Sequence, residues 1–142
     1  MPDRQSTNVV QPYLFFNGRC EEALEFYKQA MGGEVAYMVR FTQNPDPITT
    51  PPGFDNKIMH AVLRVGDTNV FMSDGDKDSG TFQGFALCHT VATEADADRA
   101  FNALSAGGKT IMALTKTFYS PRFGMLVDKF GIKWMVMAVQ PV

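Results

Sequence analysis

Cysteine and long apolar runs are scarce in this chain of 142 residues. The two cysteines, Cys20 and Cys88, could form one bridge. The start MPDRQSTNVV, however, has neither the basic region nor the apolar region of a secretory signal. The pattern therefore favours two reduced thiols in a cytoplasmic protein. No apolar run approaches the ~18 residues that a membrane span requires, so we expect no membrane association.

An excess of positive charge is also absent. Thirteen Lys and Arg residues stand against 15 Asp and Glu residues, for a net charge of −2. The basic residues are scattered rather than clustered, whereas nucleic-acid-binding surfaces concentrate positive charge. We therefore expect no nucleic-acid partner. The length and the 45% apolar content suit one compact soluble domain, residues 1–142.

Two stretches of the sequence resemble each other. EEALEFYKQAMGGEV (21–35) and EADADRAFNALSAGGKTI (94–111) each predict an amphipathic helix, a double glycine that ends it and an extended segment. The glycine pairs begin at Gly32 and Gly107, an offset of 75 residues (107 minus 32). The offset is about half the chain, which indicates one structural unit used twice.

Predicted strands surround both helices. In the first half they cover 9–16, 34–42, 57–65 and 70–74, and in the second half 84–91, 109–115, 123–128 and 132–139. Each half is thus strand, helix, then three strands, which favours an α+β fold with antiparallel-rich sheets. We expect two βαβββ units, 9–74 and 84–140, whose curved mixed sheets enclose a ligand cleft.

Two polar or proline-rich segments interrupt this pattern. Residues 75–83 form a glycine-rich linker between the halves, and residues 43–56 contain four prolines. A long loop of the second kind is often a lid or an interface arm.

Several motifs, taken together, resemble the PhnB-like branch of the vicinal oxygen chelate (glyoxalase/bleomycin resistance protein/dioxygenase) superfamily. They are PYLFFNGRCEEALEFYKQAMGGEV (12–35), HAVLRVGDTNVFMSD (60–74), GF at 84–85, FG at 123–124 and DKFGIKWM (128–135). The resemblance covers about residues 10–140. It implies the two-unit fold above and a homodimer. Some relatives carry the label 3-demethylubiquinone-9 3-methyltransferase, but no Gly-rich turn of the kind that binds S-adenosylmethionine follows a predicted strand.

The resemblance also implies a divalent metal held by His or Gln on the first strand of each unit and by Glu on the last. Phe71 and Met135 stand where the glutamates are expected, and Gln11 and about Ala86 stand on the first strands. Gln11 is a possible but weak ligand, and the other three side chains are unsuited to such an ion. We therefore expect no metal. The alternative is an atypical ligand set that includes His60.

Tyr13 and Phe15 share the strand parity of Gln11 and are expected to face the cleft, whereas Leu14 and Phe16 face the helix. The predicted ligand-binding residues include the three of cleft-facing parity and five others. They are Gln11, Tyr13, Phe15, His60, Phe71, Ser73, Arg122 and Met135. His60 is the best catalytic candidate, as a general base or as a donor that orients a ligand. The alternative is a hydrogen-bonded histidine in a packed interior. Arg122 either pairs with an anionic substrate or is a surface arginine.

For four other residues that could act in catalysis or binding, we expect a structural role instead. The alternation of its strand places His89 on the helix-facing side. Asp74 begins a solvated turn, with a general base as the alternative. Asp128 hydrogen-bonds the backbone of its own turn. Cys88 could face the cleft, but no neighbouring cation predicts a reactive thiol.

Three functions fit these observations. The first is metal-free binding of a small organic molecule in an apolar cleft. The second is a metal-dependent lyase, isomerase or dioxygenase. The third is a resistance-type protein that sequesters its ligand without chemistry. The sequence does not identify the ligand.

Overall fold

The structure, a computed structural model, describes residues 8–45, 50–75 and 80–140. Its elements follow the predicted order. They are β1 (Tyr13–Phe15), α1 (Cys20–Met31), β2 (Glu34–Arg40), a 3-10 turn (Phe41–Gln43), β3 (Ile58–Val65), β4 (Thr68–Ser73), β5 (Leu87–Val91), α2 (Glu94–Ser105), β6 (Lys109–Thr115), β7 (Phe123–Val127) and β8 (Lys133–Ala138). The α+β fold class is therefore confirmed.

The strands form two sheets with the same topology. The orders are β1-β4-β3-β2 and β5-β8-β7-β6. In each sheet the first strand is parallel to the fourth, and the other pairs are antiparallel. β1 is an edge strand, and Pro12 directly precedes it, where a missing N–H disturbs no ladder.

The chain divides into two compact units. Among the described residues, the first unit comprises 8–24 and 33–75, and the second comprises 25–32 and 80–140. The last turns of α1 thus group with the second unit.

The core of the first unit lies on one face of its sheet. Leu14, Ala61, Leu63 and Met72 are each less than 5% exposed. They alternate with more exposed neighbours, as strands with one buried face do.

In the second unit, α2 is the predicted amphipathic helix, and its buried apolar residues are Ala97, Ala100, Phe101 and Leu104. The helix begins where Thr93, as its N-cap residue, accepts a hydrogen bond from the backbone N–H of Asp96 at 3.0 Å.

The two double glycines have the same two roles in the two units: the first glycine ends the helix, and the second allows close backbone packing. Gly32 and Gly107 have φ angles of +70° and +76°, in the left-handed region that ends helices. The next glycine lies against the backbone of a neighbouring strand end. A Cβ on Gly33 would lie 3.0 Å from the carbonyl oxygen of Arg64, and one on Gly108 would clash with the carbonyl of Val127. The two units therefore share the same contact between glycine and strand backbone, as well as the same order of helix and strands.

The expectation that Asp74 begins a solvated turn is wrong. Its side chain is fully buried. One carboxylate oxygen accepts from the backbone N–H groups of Gly18 (2.7 Å) and Cys20 (2.9 Å), and the other accepts from Ile58 (3.1 Å). Asp74 therefore caps the start of α1 from the end of β4 and satisfies the first orphan donor of that helix, the N–H of Cys20.

Asp128 holds its own turn, as predicted, because its carboxylate accepts from the backbone N–H groups of Phe130 (2.8 Å) and Ile132 (3.0 Å). It also accepts from Nε1 of Trp134 at 2.8 Å and from the hydroxyl of Tyr27 on α1. Through these hydrogen bonds, this buried carboxylate links the second half of α1 to the turn between β7 and β8.

Parts of the predicted loop 43–56 and linker 75–83, namely 46–49 and 76–79, lie outside the described residues. Neither of the described helices has the length and apolarity needed to cross a bilayer.

Candidate functional site

The best candidate site is one face of the first sheet. Strand register places Tyr13 opposite Phe71 and Phe15 opposite Ser73. Ala61 lies opposite Met72 in the buried layer, so its neighbour His60 points to the other face, with Phe71. The predicted parity of Tyr13 and Phe15, against Leu14 and Phe16, is confirmed, since the latter two are buried.

Five rings meet on this face, and we call them the aromatic face: Tyr13, Phe15, Tyr37, His60 and Phe71. The ring centroids of Tyr13 and Phe15 are 4.9 Å apart, and the two ring planes are nearly parallel. His60 lies 5.3 Å from Phe71 and 6.0 Å from Tyr37. These centroid separations fall in the range of roughly 4.5–7 Å that favourable aromatic pairs adopt.

The aromatic face is only partly covered within the described residues. Tyr13 is 41% exposed and Tyr37 is 55% exposed, while Phe15, His60 and Phe71 are half-buried. Large aromatic groups that remain accessible and adjacent provide a surface on which a planar molecule can stack.

A hydrogen bond orients the histidine. The hydroxyl of Tyr13 lies 2.8 Å from Nδ1 of His60. Burial raises the pKa of Tyr13 and lowers the pKa of His60, so both side chains are neutral near pH 7. When the tyrosine donates to Nδ1, the proton of the neutral imidazole lies on Nε2. Among the described residues, Nε2 has no hydrogen-bond partner, which leaves it available to a ligand.

Two other predicted site residues of this unit have different surroundings. Ser73 is 2% exposed. Its hydroxyl donates to the carbonyl of Met59 at 2.7 Å and accepts from the N–H of Gly75 at 2.7 Å, so its hydrogen bonds serve the end of β4. Gln11 lies half-buried before β1 begins.

The sequence pattern did not predict that Tyr37 joins the aromatic face. It lies on β2, and the pairing of β2 with β3 contains a register shift between Val35 and Tyr37. A bulge reverses the face on which later side chains fall, so simple alternation does not reveal where Tyr37 points.

The remaining predicted site residues belong to the second unit. Met135 lies opposite Cys88 and on the face away from the buried Trp134. Arg122 directs Nε and Nη2 to one carboxylate oxygen of Asp98 on α2, at 3.0 and 2.6 Å. That these residues share a cleft with the aromatic face, and that Arg122 binds a ligand, stay predictions.

The positions at which related folds hold a divalent metal do not fit one here. Phe71 lies opposite Tyr13, and Met135 lies opposite Cys88, so the two are equivalent places in the two sheets. A phenyl ring has no donor, and a thioether is a poor ligand for borderline or hard cations. In the described part of the chain, no three His, Cys, Asp or Glu side chains are grouped to hold an ion.

His89 lies, as predicted, on the helix-facing side of the second sheet, opposite the buried Val136. Burial lowers its pKa. It lines a cavity with residues of both helices.

Comparison with known proteins gives a consistent result. The sequence model of a family described as 3-demethylubiquinone-9 3-methyltransferase matches residues 8–137. Protein YjdN of Escherichia coli K12 is 32% identical over 140 residues, which cover 92% of this chain and 95% of that protein.

Solved structures agree with the sequence matches. The protein PA1353 of Pseudomonas aeruginosa is 39% identical, with a TM-score of 0.81 over 94% of this chain and all of that chain. A PhnB protein from Bacillus cereus is 26% identical, with a TM-score of 0.75 over 92% of this chain and 98% of the other. A glyoxalase/bleomycin resistance protein/dioxygenase family enzyme from Burkholderia phytofirmans shares the fold at 17% identity and a TM-score of 0.61, over 90% of this chain and 97% of the other.

Proposed function

This chain belongs to the PhnB-like (3-demethylubiquinone-9 3-methyltransferase-like) family and shares the fold of a glyoxalase/bleomycin resistance protein/dioxygenase family enzyme, and we propose that it binds a small planar organic molecule on its aromatic face without a metal ion. The observation that carries the proposal is the adjacency of Tyr13, Phe15 and Phe71 to a neutral histidine.

The binding mode follows from the chemistry of that face. Tyr13 and Phe15 are stacked and present ring surface to a flat ligand. Nε2 of His60 donates a hydrogen bond to a carbonyl or phenolate oxygen of that ligand, because Tyr13 occupies Nδ1. Apolar stacking supplies most of the affinity, and the histidine sets the orientation.

The absence of suitable ligands at Phe71 and Met135 supports binding without a metal. The family description mentions methyl transfer, but the turns between strand and helix do not favour it. The turn before α1 is Asn17-Gly18 and that before α2 is Ala92-Thr93, and neither is a Gly-rich loop. We therefore propose binding, with His60 as the group most able to act on a ligand.

A binding screen tests this proposal. The protein is purified without chelator and screened by thermal shift against aromatic alcohols, quinones, aromatic carboxylates and phosphonates. For the best compound, the Kd is then measured for the wild type and for His60→Ala. We expect a loss of about tenfold or more in His60→Ala, which corresponds to about 1.4 kcal/mol.

His89→Ala is the matched control, since it removes the other half-buried histidine, and its Kd for the same compound should stay unchanged. An unchanged Kd in His60→Ala would overturn the proposal. Near-stoichiometric nickel, zinc, iron or manganese in the wild type, lost in His60→Ala, would overturn the metal-free part.

A further inference from the structure

The cavity at His89, of about 460 Å³, lies within the second unit. The last residues of α1 and one side of α2 form its walls, and the end of β5 forms its floor. The lining residues are Gln29, Ala30, Met31, Gly32, His89, Val91, Ala92, Asp96, Arg99, Ala100 and Ala103. The volume falls in the range of small-molecule sites, roughly 300–1,000 Å³.

The α2 wall carries a pair of opposite charges. Asp96, Arg99 and Ala103 lie three and four residues apart and therefore share one side of the helix. Arg99 pairs with Asp96 through one guanidinium nitrogen, while its side chain is 72% exposed. Because a guanidinium has five N–H donors, Arg99 keeps donors for a carboxylate after this contact.

The α1 wall is a helix end. Ala30, Met31 and Gly32 line the cavity where α1 stops, and Gly32 adopts a φ of +70°. The last carbonyl groups of a helix lack intrahelical donors and carry partial negative charge. This end therefore favours a cation or a hydrogen-bond donor.

The floor and the rest of the α2 wall are mostly apolar, with one polar group. Val91, Ala100 and Ala103 present small apolar surfaces. His89 is half-buried on the floor, and its side chain makes no hydrogen bond to another residue that the structure describes. Its imidazole can bond a ligand directly.

We propose that this cavity binds a small zwitterion with the chemistry of an α-amino acid. The carboxylate pairs with Arg99, the ammonium group lies at the carboxyl end of α1 with Asp96 as a further acceptor, and the ligand side chain lies against Ala100 and Ala103. The proposal is independent of the aromatic face, because its residues lie in the second unit.

The twenty common L-amino acids, each at millimolar concentration, are the probes for a screen by amide chemical-shift mapping on the intact protein. We expect at least one to shift the amides of His89, Ala92 and Ala103 while leaving those of Tyr13 and Phe71 unmoved. Its deaminated acid and its decarboxylated amine should each bind about tenfold more weakly, since each lacks one charged end.

Two variants with matched controls locate the site. Arg99→Gln should weaken binding about tenfold, whereas Arg64→Gln, which alters an exposed arginine on β3, should not. Ala103→Leu should fill the cavity and abolish the shifts. Asn102→Leu places the same side chain one residue away on the exposed surface of α2 and should leave them.

Three results would overturn the proposal. They are the absence of shifts with all twenty amino acids, shifts confined to other residues, and equal affinity for the deaminated acid. Circular dichroism of Ala103→Leu accompanies the titration. If that variant is unfolded, Arg99→Gln, whose exposed side chain is not part of the core, decides the question.

Discussion

The hydroxyl of Tyr13 lies 2.8 Å from Nδ1 of His60, and this contact spans the face of β4 to join β1 with β3. The tyrosine fixes the orientation of the imidazole while both rings remain on the accessible side of the sheet. A histidine whose Nδ1 is engaged in this way presents Nε2 in a defined direction. This hydrogen bond therefore gives the aromatic face one polar group, Nε2 of His60, that is held in a fixed orientation.

Tyr13→Phe should weaken ligand binding on the aromatic face by about threefold to tenfold, because the loss of one hydrogen bond of roughly 1 kcal/mol leaves the imidazole less well oriented. Stability should change little, since Tyr13 is 41% exposed. The Kd and the thermal midpoint measure the two effects. Tyr119→Phe, at 43% exposure, is the control. Equal losses of affinity in both variants would contradict the role given to Tyr13.

Acid should destabilise the protein through its two histidines. Burial lowers the pKa of both His60 and His89 from the ordinary 6.5, so the unfolded chain binds more protons than the folded chain as the pH falls below that value. The stability contributed by the neutral imidazoles is full above the unfolded pKa and is lost as the pH falls through the lower folded pKa.

His89→Gln should therefore lose less stability than the wild type between about pH 7 and pH 5. Urea unfolding at a series of pH values measures the difference. A steeper loss in the variant than in the wild type would show that the assigned sign is wrong.

Asp74→Asn should destabilise the first unit by about 2–4 kcal/mol, because an amide replaces a buried carboxylate that accepts three backbone hydrogen bonds. One amide nitrogen would then face an N–H donor. Chemical denaturation gives the free energy of unfolding. Asp67→Asn, on the exposed turn between β3 and β4, should change it by less than about 0.5 kcal/mol. Comparable effects of the two substitutions would exclude a capping role for Asp74.

Gly108→Ala should destabilise the second unit more than Gly66→Ala destabilises the first. The new Cβ at position 108 would meet the backbone of Val127, which cannot move without disturbing β7. Gly66 has a φ of +57° but open space around it, so alanine there costs about 1–2 kcal/mol of conformational strain. Thermal or urea unfolding compares the two variants, and an equal cost would argue against close backbone packing at Gly108.

Local patterns predicted much of the fold. The amphipathic α2 and the double glycine that ends it depend on neighbouring residues, so the local sequence pattern revealed both. The placement of Phe71 and Met135 followed from the repeat, since strand alternation fixes which face each side chain occupies.

The unpredicted features depend on contacts between distant residues. Asp74 follows a strand in a polar segment, and only the tertiary structure brings it to the start of α1. The hydroxyl of Tyr27 reaches Asp128 across 101 positions of the chain. Tyr37 joins the aromatic face after a bulge that no alternation pattern reveals.

Binding of a small organic molecule on the aromatic face without a metal is tested most directly by amide and side-chain chemical-shift mapping. The wild-type protein is titrated with the best compound of the screen before and after exhaustive treatment with EDTA. We predict shifts at Tyr13, His60 and Phe71 with the same Kd in both conditions. Shifts that leave these three residues unmoved, or that disappear after EDTA treatment, would contradict the claim.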